Sequence, residues 1–542
     1  MSKGVKMNTK IDMIDMINNN DNNIQLTYPQ TINYMNGISY ELNEILTLRM
    51  IATSYIRGEK LYYKSKGDGK TMFDNALKNA LDVNFSDVIN LSIELREKYN
   101  MRLNPQIIIM AAVLHPKRIE FCEKNPMVLR KAINQIAKIP TDILTQFEYY
   151  KELNGGKNKL PGIVKRAWAD YFEKIDKYQA SKYLNKAKIE NLIKICHPNP
   201  TKNEIINEII KNGKVKIDDS MKTWENLRSV GKNWLEIFGE LKIIPHMALL
   251  RNLCGIIKDS SITVEFVNNN IIPMLKNGVK GGKQFPFQYF NAYKSLKNLP
   301  EENNLKENLF IEKIKLLLKT LEDCLQISID IIPNLKGKTI SLCDNSGSAH
   351  GTFTSEFGSV TISEIANLSG LITALRSENG GKVGVFGDKL NYYDVDKTRP
   401  ILEQLDEINK LGKKIGQGTE NGIWIHFRIS CLTKEHWDNI FIYSDMQAGH
   451  GELYGLDPSE YKDFVIINKG PNYIDVKKLI ETYRELVNPK TNVFSVQVAG
   501  YNNSLIPENT YRTSIMQGWT GKEVLYAYEL VNIWNQVEII NN

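Results

Sequence analysis

Asp344, Ser346 and Ser348 stand at alternate positions in the stretch SLCDNSGSAHG, directly after the run Lys338-Thr339-Ile340. One carboxylate and two hydroxyls at the end of a strand can hold a hard cation, although serine and aspartate after a strand are also ordinary turn chemistry. Two later segments extend the set. IGQGTENG offers Thr419 on a glycine-rich loop, and FIYSDMQAG ends another strand-like run at Asp445. All five side chains are oxygen donors, and such a set suits Mg²⁺, which prefers octahedral oxygen and keeps several waters, with another divalent cation as the alternative. In this reading the hydroxyls of Ser346 and Ser348 bind directly, while Asp344 and Asp445 orient them or the bound waters. Glycines 347 and 418 let the backbone come close.

The elements that must position these residues are short and β-branched or aromatic: KTISLCD, GKVGVF, NIFIYSD and TNVFSVQVAG. Helical stretches around 361–377, 399–413, 474–487 and 520–535 separate or follow them. Strand alternating with helix predicts a doubly wound, mainly parallel sheet, whose polar site lies beyond the carboxyl ends of the strands. Asp344 then ends the first strand, and the two serines begin the loop above it.

Before about Pro333 the pattern is different. From about Tyr40 to Glu322 apolar residues recur at three- and four-residue spacing, as in ELNEILTLRMIATSYI and FSDVINLSIELREKY. Asn104-Pro105, Pro140-Thr141-Asp142, Pro198-Asn199-Pro200 and Pro245 stand where one helix should stop or the next begin. Consecutive amphipathic helices pack most simply as antiparallel pairs, so the expectation is an α-solenoid of degenerate repeats.

A chain of 542 residues is too long for one hydrophobic core, and 42% apolar with 24% charged residues is ordinary for globular protein. The first residues lack a signal-peptide core, and no stretch approaches the roughly 18 consecutive apolar residues of a membrane span, so a cytoplasmic protein without membrane contact is expected. The six cysteines make no C-x-x-C pair and read as free thiols. A net charge of +7 names no partner. Its distribution does more: between Lys157 and His197 ten basic residues face four acids. Lysines on successive helix faces make a surface that tracks phosphates without reading bases. Segment GDGKTMF lacks the first glycine of a P-loop, since Lys64 stands there, and no H-E-x-x-H or G-x-S-x-G pattern supplies hydrolase machinery. An enzyme is not expected.

The metal set resembles the metal-ion-dependent adhesion site of von Willebrand factor A domains, which bind partners rather than catalyse. Upstream, KIPTDILTQFEYYKEL, KLPGIVKRAWADYFEKI, SKYLNKAKIENLIKICHPNP, IPHMALLRNL and FPFQYFNAY occur in the order found in TROVE-domain proteins, the Ro60 autoantigen and its bacterial relatives. The resemblance runs from about Asn36 to the end. It implies an N-terminal extension over 1–35, a HEAT-like helical-repeat domain over 36–335 closed into a monomeric ring, and an A domain over 336–542. It further implies binding of Y-type RNA outside the ring and of single-stranded 3′ ends of misfolded noncoding RNA within it, with an exoribonuclease or RNA-repair protein as a further partner. By this resemblance Lys182 and His197 match Y RNA contacts, Lys186 replaces a family arginine, and Lys165, Arg166 and Arg251 are further RNA candidates. Without the resemblance, the lysines read as a solvated helix face, His197 as a helix cap before Pro198, and Arg251 as a buried structural partner. The chain departs from the pattern at Phe285, at Met446-Gln447 after the last metal aspartate, and in the tract 501–513. The competing function is a protein-interaction scaffold that uses the A-domain metal site and binds no RNA.

Overall fold

The computed structural model describes residues 30–32, 38–41, 44–54, 68–97, 101–157, 159–183, 187–212, 222–241, 244–282, 284–303, 308–350, 352–355, 358–416, 421–446, 476–498, 503–506, 511–517, 521 and 523–541. From Glu44 to Asp330 the described regular structure is helical. The breakers act where their chemistry predicts. Pro105 falls in the first turn of Asn104–Leu114, where a missing N–H costs nothing, and Pro140 opens Pro140–Leu153. Pro245 is the N-cap of His246–Lys258, and Pro198 and Pro200 fall between Ala187–Cys196 and Glu204–Asn212. Asp68 to Phe73 of the segment GDGKTMF open the helix Asp68–Val83 and form no phosphate-binding loop.

Buried polar groups meet across several helix–helix contacts, and two of these show how they are paired. Arg96 Nη2 donates to Asp142 Oδ2 at 3.0 Å and its Nε to the carbonyl of Ile136, also at 3.0 Å. Trp168 Nε1 donates to Gln146 Oε1 at 2.5 Å, and Gln146 Nε2 passes the bond on to Gln106 Oε1 at 2.7 Å. Such paired groups fix which helices meet, because any other register strands a polar atom in the core.

The principal sheet has six strands in the order β11-β9-β8-β3-β6-β7: Thr513–Gln517, Asn492–Gln497, Asn439–Ser444, Thr339–Asp344, Gly381–Phe386 and Leu390–Asp394. All neighbours are parallel except β6 and β7, which pair antiparallel. The expected doubly wound parallel sheet is therefore present, with edge strands β7 and β11 added. Alternation along the strands splits the side chains between two cores. Ile340, Leu342, Ile440 and Ile442 face one that contains Trp424, Phe427 and Tyr483. Cys343, Val383, Phe441, Tyr443 and Phe494 face another, continuous with Leu253, Ile257, Leu317 and Leu321 of the upstream helices. A third core holds the helices between Leu48 and Ile209.

Polar contacts reinforce the junction of helices and sheet. Lys294 Nζ pairs with Glu364 Oε1 at 2.7 Å, and Glu322 Oε1 accepts the backbone N–H of Leu402, in the first turn of Ile401–Gly412, at 3.0 Å. Two features were not foreseen. Strands β1 (Gln30–Ile32) and β2 (Ile38–Glu41) form a hairpin extended by β10 (Asn503–Ser504), which joins the two ends of the chain. Asn421–Thr433 is a helix, so Asn421 and Gly422 of IGQGTENG are helical. A small hairpin, β4 (Thr352–Ser355) and β5 (Gly358–Thr361), follows the serine loop. Among the described residues no helix is long and apolar enough to cross a membrane.

Candidate functional site

Strand order reverses beside β3: the chain goes from β3 to β6 on one side and then to β8 on the other. At such a switch point the loops leave in opposite directions and open a crevice above the carboxyl ends. Asp344 is the last residue of β3, and Asp445 follows the last residue of β8, so both carboxylates stand at the lip of this crevice. Both residues are fully buried.

The loop after β3 is built to hold its hydroxyls inward. Ser346 N–H donates to Asp344 Oδ1 at 2.9 Å, closing an Asx turn, and Ser444 Oγ donates to Asp344 Oδ2 at 3.2 Å. Ser346 Oγ and Ser348 Oγ lie 3.2 Å apart, both on buried residues. Asn345 N–H binds the carbonyl of Phe386 at 2.8 Å, anchoring the loop to β6, while its side chain exchanges bonds with Asn367 and through it reaches Asn409. Gly412 makes room for this amide chain, since a Cβ there would lie 2.2 Å from Asn345 Oδ1. Met446 is buried with φ 66, a left-handed conformation that costs about 1–2 kcal/mol in a non-glycine residue, and its N–H is held by Ser444 Oγ at 3.0 Å. Ser444 thus serves both tips. The signal for it was its place directly before Asp445.

Desolvation pushes the Asp344 carboxyl above the usual carboxylate range, although bonds from Ser346, Ser444 and the Asp445 backbone work against it. Two buried carboxylates beside two hydroxyls are a poor structural core and a good oxygen cage, so the residues fit a hard divalent cation. Among the described residues no three His, Cys, Asp or Glu side chains cluster as a metal site, so a cation here must use the hydroxyls. Thr419 lies outside the described residues. His350 is near the loop and meets Ser363 Oγ at 3.4 Å through Nδ1.

The basic segment divides more unevenly. Lys165 is half-buried and Arg166 exposed on Gly162–Phe172, a helix packed in the same core as Ala187–Cys196. Lys165 is near enough to Cys196 for its charge to oppose the upward push of burial on that thiol, which brings it beside the residue preceding His197. His197 is exposed, has φ 51, and its N–H donates to the Ile193 carbonyl at 3.2 Å. It therefore occupies the left-handed position that ends a helix, as the cap reading expected, with its imidazole outward. Glu173 holds the following loop by accepting from Asn199 N–H at 2.9 Å and Lys202 Nζ at 2.7 Å. Two acids of the segment are thus neutralised from outside it, Glu173 by Lys202 and Asp170 by Arg130. Lys182 falls on Lys177–Tyr183, and Lys186 lies outside the described residues. Arg251 is exposed, which corrects the reading of it as a buried partner, and its helix belongs to a different core from Lys165 and His197.

The profile of the TROVE domain matches residues 208–330. The fold is similar to the crystal structure of the Ro (RSR) protein of Deinococcus radiodurans, with a TM-score of 0.59 over 91% of this chain and 100% of that one, at 11% sequence identity. None of the curated proteins matches the sequence significantly.

Proposed function

We propose that this chain, which carries a TROVE-domain match over residues 208–330 and a fold similar to that of a Ro protein, is a Ro60-like protein that binds noncoding RNA and serves RNA quality control or processing without being an enzyme itself. The observation that carries this reading is the TROVE match joined to a fold shared over nearly the whole chain. The basic excess between Lys157 and His197 supports it, since a face of lysines gives affinity for phosphate backbone irrespective of sequence. In the finer form of the proposal, Lys182, Lys186 and His197 hold duplex parts of a Y-type RNA, and Lys165 and Arg166 are further RNA contacts beside them. The helices close into a monomeric ring that takes single-stranded 3′ ends, and Arg251, on a separate helix group, contacts that second RNA. The protein works in the cytoplasm, away from membranes, with an exoribonuclease or RNA-repair protein as partner. The sheet and its helices act as a von Willebrand factor A domain, where Asp344, Ser346, Ser348, Thr419 and Asp445 hold Mg²⁺ and the cation supplies a contact for a partner's carboxylate.

Purification followed by the 260/280 nm absorbance ratio before and after high salt tests the RNA reading, together with a shift assay on structured RNA bearing a free 3′ tail. Co-purifying RNA and a shift are expected. Lys182→Glu combined with Lys186→Glu should weaken binding and flatten its salt dependence. A clean protein spectrum and no shift would favour the scaffold reading, for which the buried carboxylate and hydroxyl loop is the specific observation.

A further inference from the structure

A cleft of about 560 Å³ opens between Arg118–Lys124, the start of Val128–Ile136 and the first turn of Gly162–Phe172. That volume is in the range of sites for small organic molecules. Its lining joins two chemistries. Arg118, Arg130 and Arg166 bring three guanidinium groups, and no carboxylate lines the cleft. Ile119 and Met127 line it too, although they are 61% and 45% exposed, an arrangement that leaves large apolar surface in water beside positive charge.

The arginines are not equivalent. Arg130 is clamped by Asp170 through two bonds of 2.7 Å, so it is held in place with its charge balanced. Arg118 Nη1 donates to the Val113 carbonyl at 2.8 Å, which fixes the side chain and leaves its charge unbalanced by that partner. Arg166 is exposed, forms no ion pair among the described residues, and its guanidinium lies over Gly162. The first N–H groups of that helix have no acceptor within it, and Pro161 at the N-cap offers no side-chain oxygen. An anion with an attached flat apolar group satisfies all of this at once.

We infer that this cleft takes one unpaired nucleotide of a bound RNA, its phosphate against Arg118 and Arg166 and its base against Ile119 and Met127. The inference rests on the RNA reading above and adds a discrete subsite to it. RNA is favoured over a phosphorylated peptide because Arg166 adjoins Lys165 on the basic segment, so a strand that follows the lysines passes the cleft. A base-paired nucleotide keeps its base stacked within the duplex, whereas a splayed one presents its phosphate and its base to the cleft together.

Cys122 lines the same cleft and reports on its occupancy. The test follows alkylation of Cys122 by N-ethylmaleimide in the full-length protein, by peptide mapping, with Cys254 as the internal reference. A hairpin RNA with an unpaired tail should slow Cys122 by about fivefold or more at saturation, and a blunt duplex should not; that factor corresponds to most sites being filled. Arg166→Glu and Ile119→Asp, both at exposed positions, should each remove the protection and lower affinity for the tailed hairpin about tenfold. Tailed RNA that binds while Cys122 reacts at its free rate overturns the subsite and leaves the RNA reading standing. Absence of any RNA binding overturns the reading on which it rests. Equal protection by the blunt duplex, or protection by a phosphoserine peptide and not by RNA, assigns the cleft to another ligand and also overturns the inference.

Discussion

Ser444 Oγ donates to Asp344 Oδ2 at 3.2 Å, so a single hydroxyl joins the tips of β8 and β3 where the strand order reverses. The same oxygen accepts the N–H of Met446 and thereby holds the left-handed turn after Asp445. The Asp344 carboxylate is consequently positioned by the neighbouring strand β8, and its geometry depends on the sheet being formed.

If this cage holds Mg²⁺, the cation stabilises the folded chain by mass action, by about 2.7 kcal/mol at a hundred times its dissociation constant. Thermal unfolding in Mg²⁺ should therefore occur at higher temperature than in chelator. Asp344→Asn keeps the shape of the side chain and should abolish the difference, while Ser346→Ala removes one neutral ligand and should only reduce it. Identical melting in Mg²⁺, Ca²⁺ and chelator for the wild type would remove the metal from the account.

The pair Arg96 and Asp142 makes a prediction for the helical part. Their side chains are only 6% and 4% exposed, and Asp142 also accepts the N–H groups of Lys138 and Ile139. Asp142→Ala strands a buried guanidinium and uncaps Pro140–Leu153, so a loss of about 3–5 kcal/mol is expected in denaturant unfolding. Replacing both partners by apolar residues should cost much less than the single change. A double variant as unstable as Asp142→Ala alone would show that the pair is valued for more than charge compensation.

Burial pulls the His426 imidazole down to about 3, and Lys382 adds to the effect; the ring meets Tyr392 Oη through Nδ1 at 2.9 Å. The folded value lies below the unfolded one of about 6.5, so between these limits the unfolded chain binds the extra proton. This contribution is complete above pH 6.5 and is lost as pH falls towards 3, by at most about 1.4 kcal/mol per unit. His426→Asn should flatten that part of the stability profile. A variant with an unchanged acid limb would show that other groups set it.

The sequence made the centre of the sheet legible because KTISLCD, GKVGVF and NIFIYSD are β-branched runs bounded by turn residues, and parallel pairing buries them on both faces. The helix boundaries at Pro105, Pro140 and Pro245 were legible for a local reason, the missing N–H of proline. Asn421–Thr433 was not, because NGIWIHFRISCLT is apolar almost all round and shows no stripe at helical period. The pairing of β10 with β2 joins residues more than 450 positions apart in the sequence, and nothing local encodes it. The same holds for the arginine cleft. Arg118, Arg130 and Arg166 stand on three separate helices, two of them outside the basic run from Lys157 to His197, and only the packing of those helices brings them together.

His197 offers a test that separates architecture from recognition. A histidine at φ 51 is held in a conformation that costs about 1–2 kcal/mol, whereas glycine adopts it freely and loses about 0.4–1 kcal/mol through the greater freedom of the unfolded chain. The two effects oppose one another, so His197→Gly should leave stability within about 1 kcal/mol of wild type. If the exposed imidazole contacts RNA, the same change should lower affinity for a structured RNA severalfold while the melting curve stays in place. His197→Asn, which also suits the left-handed region, should behave alike in stability and recover part of the affinity through its amide. Should both variants bind RNA as tightly as wild type, His197 is a helix cap and nothing more, and the RNA face must be sought among the lysines alone.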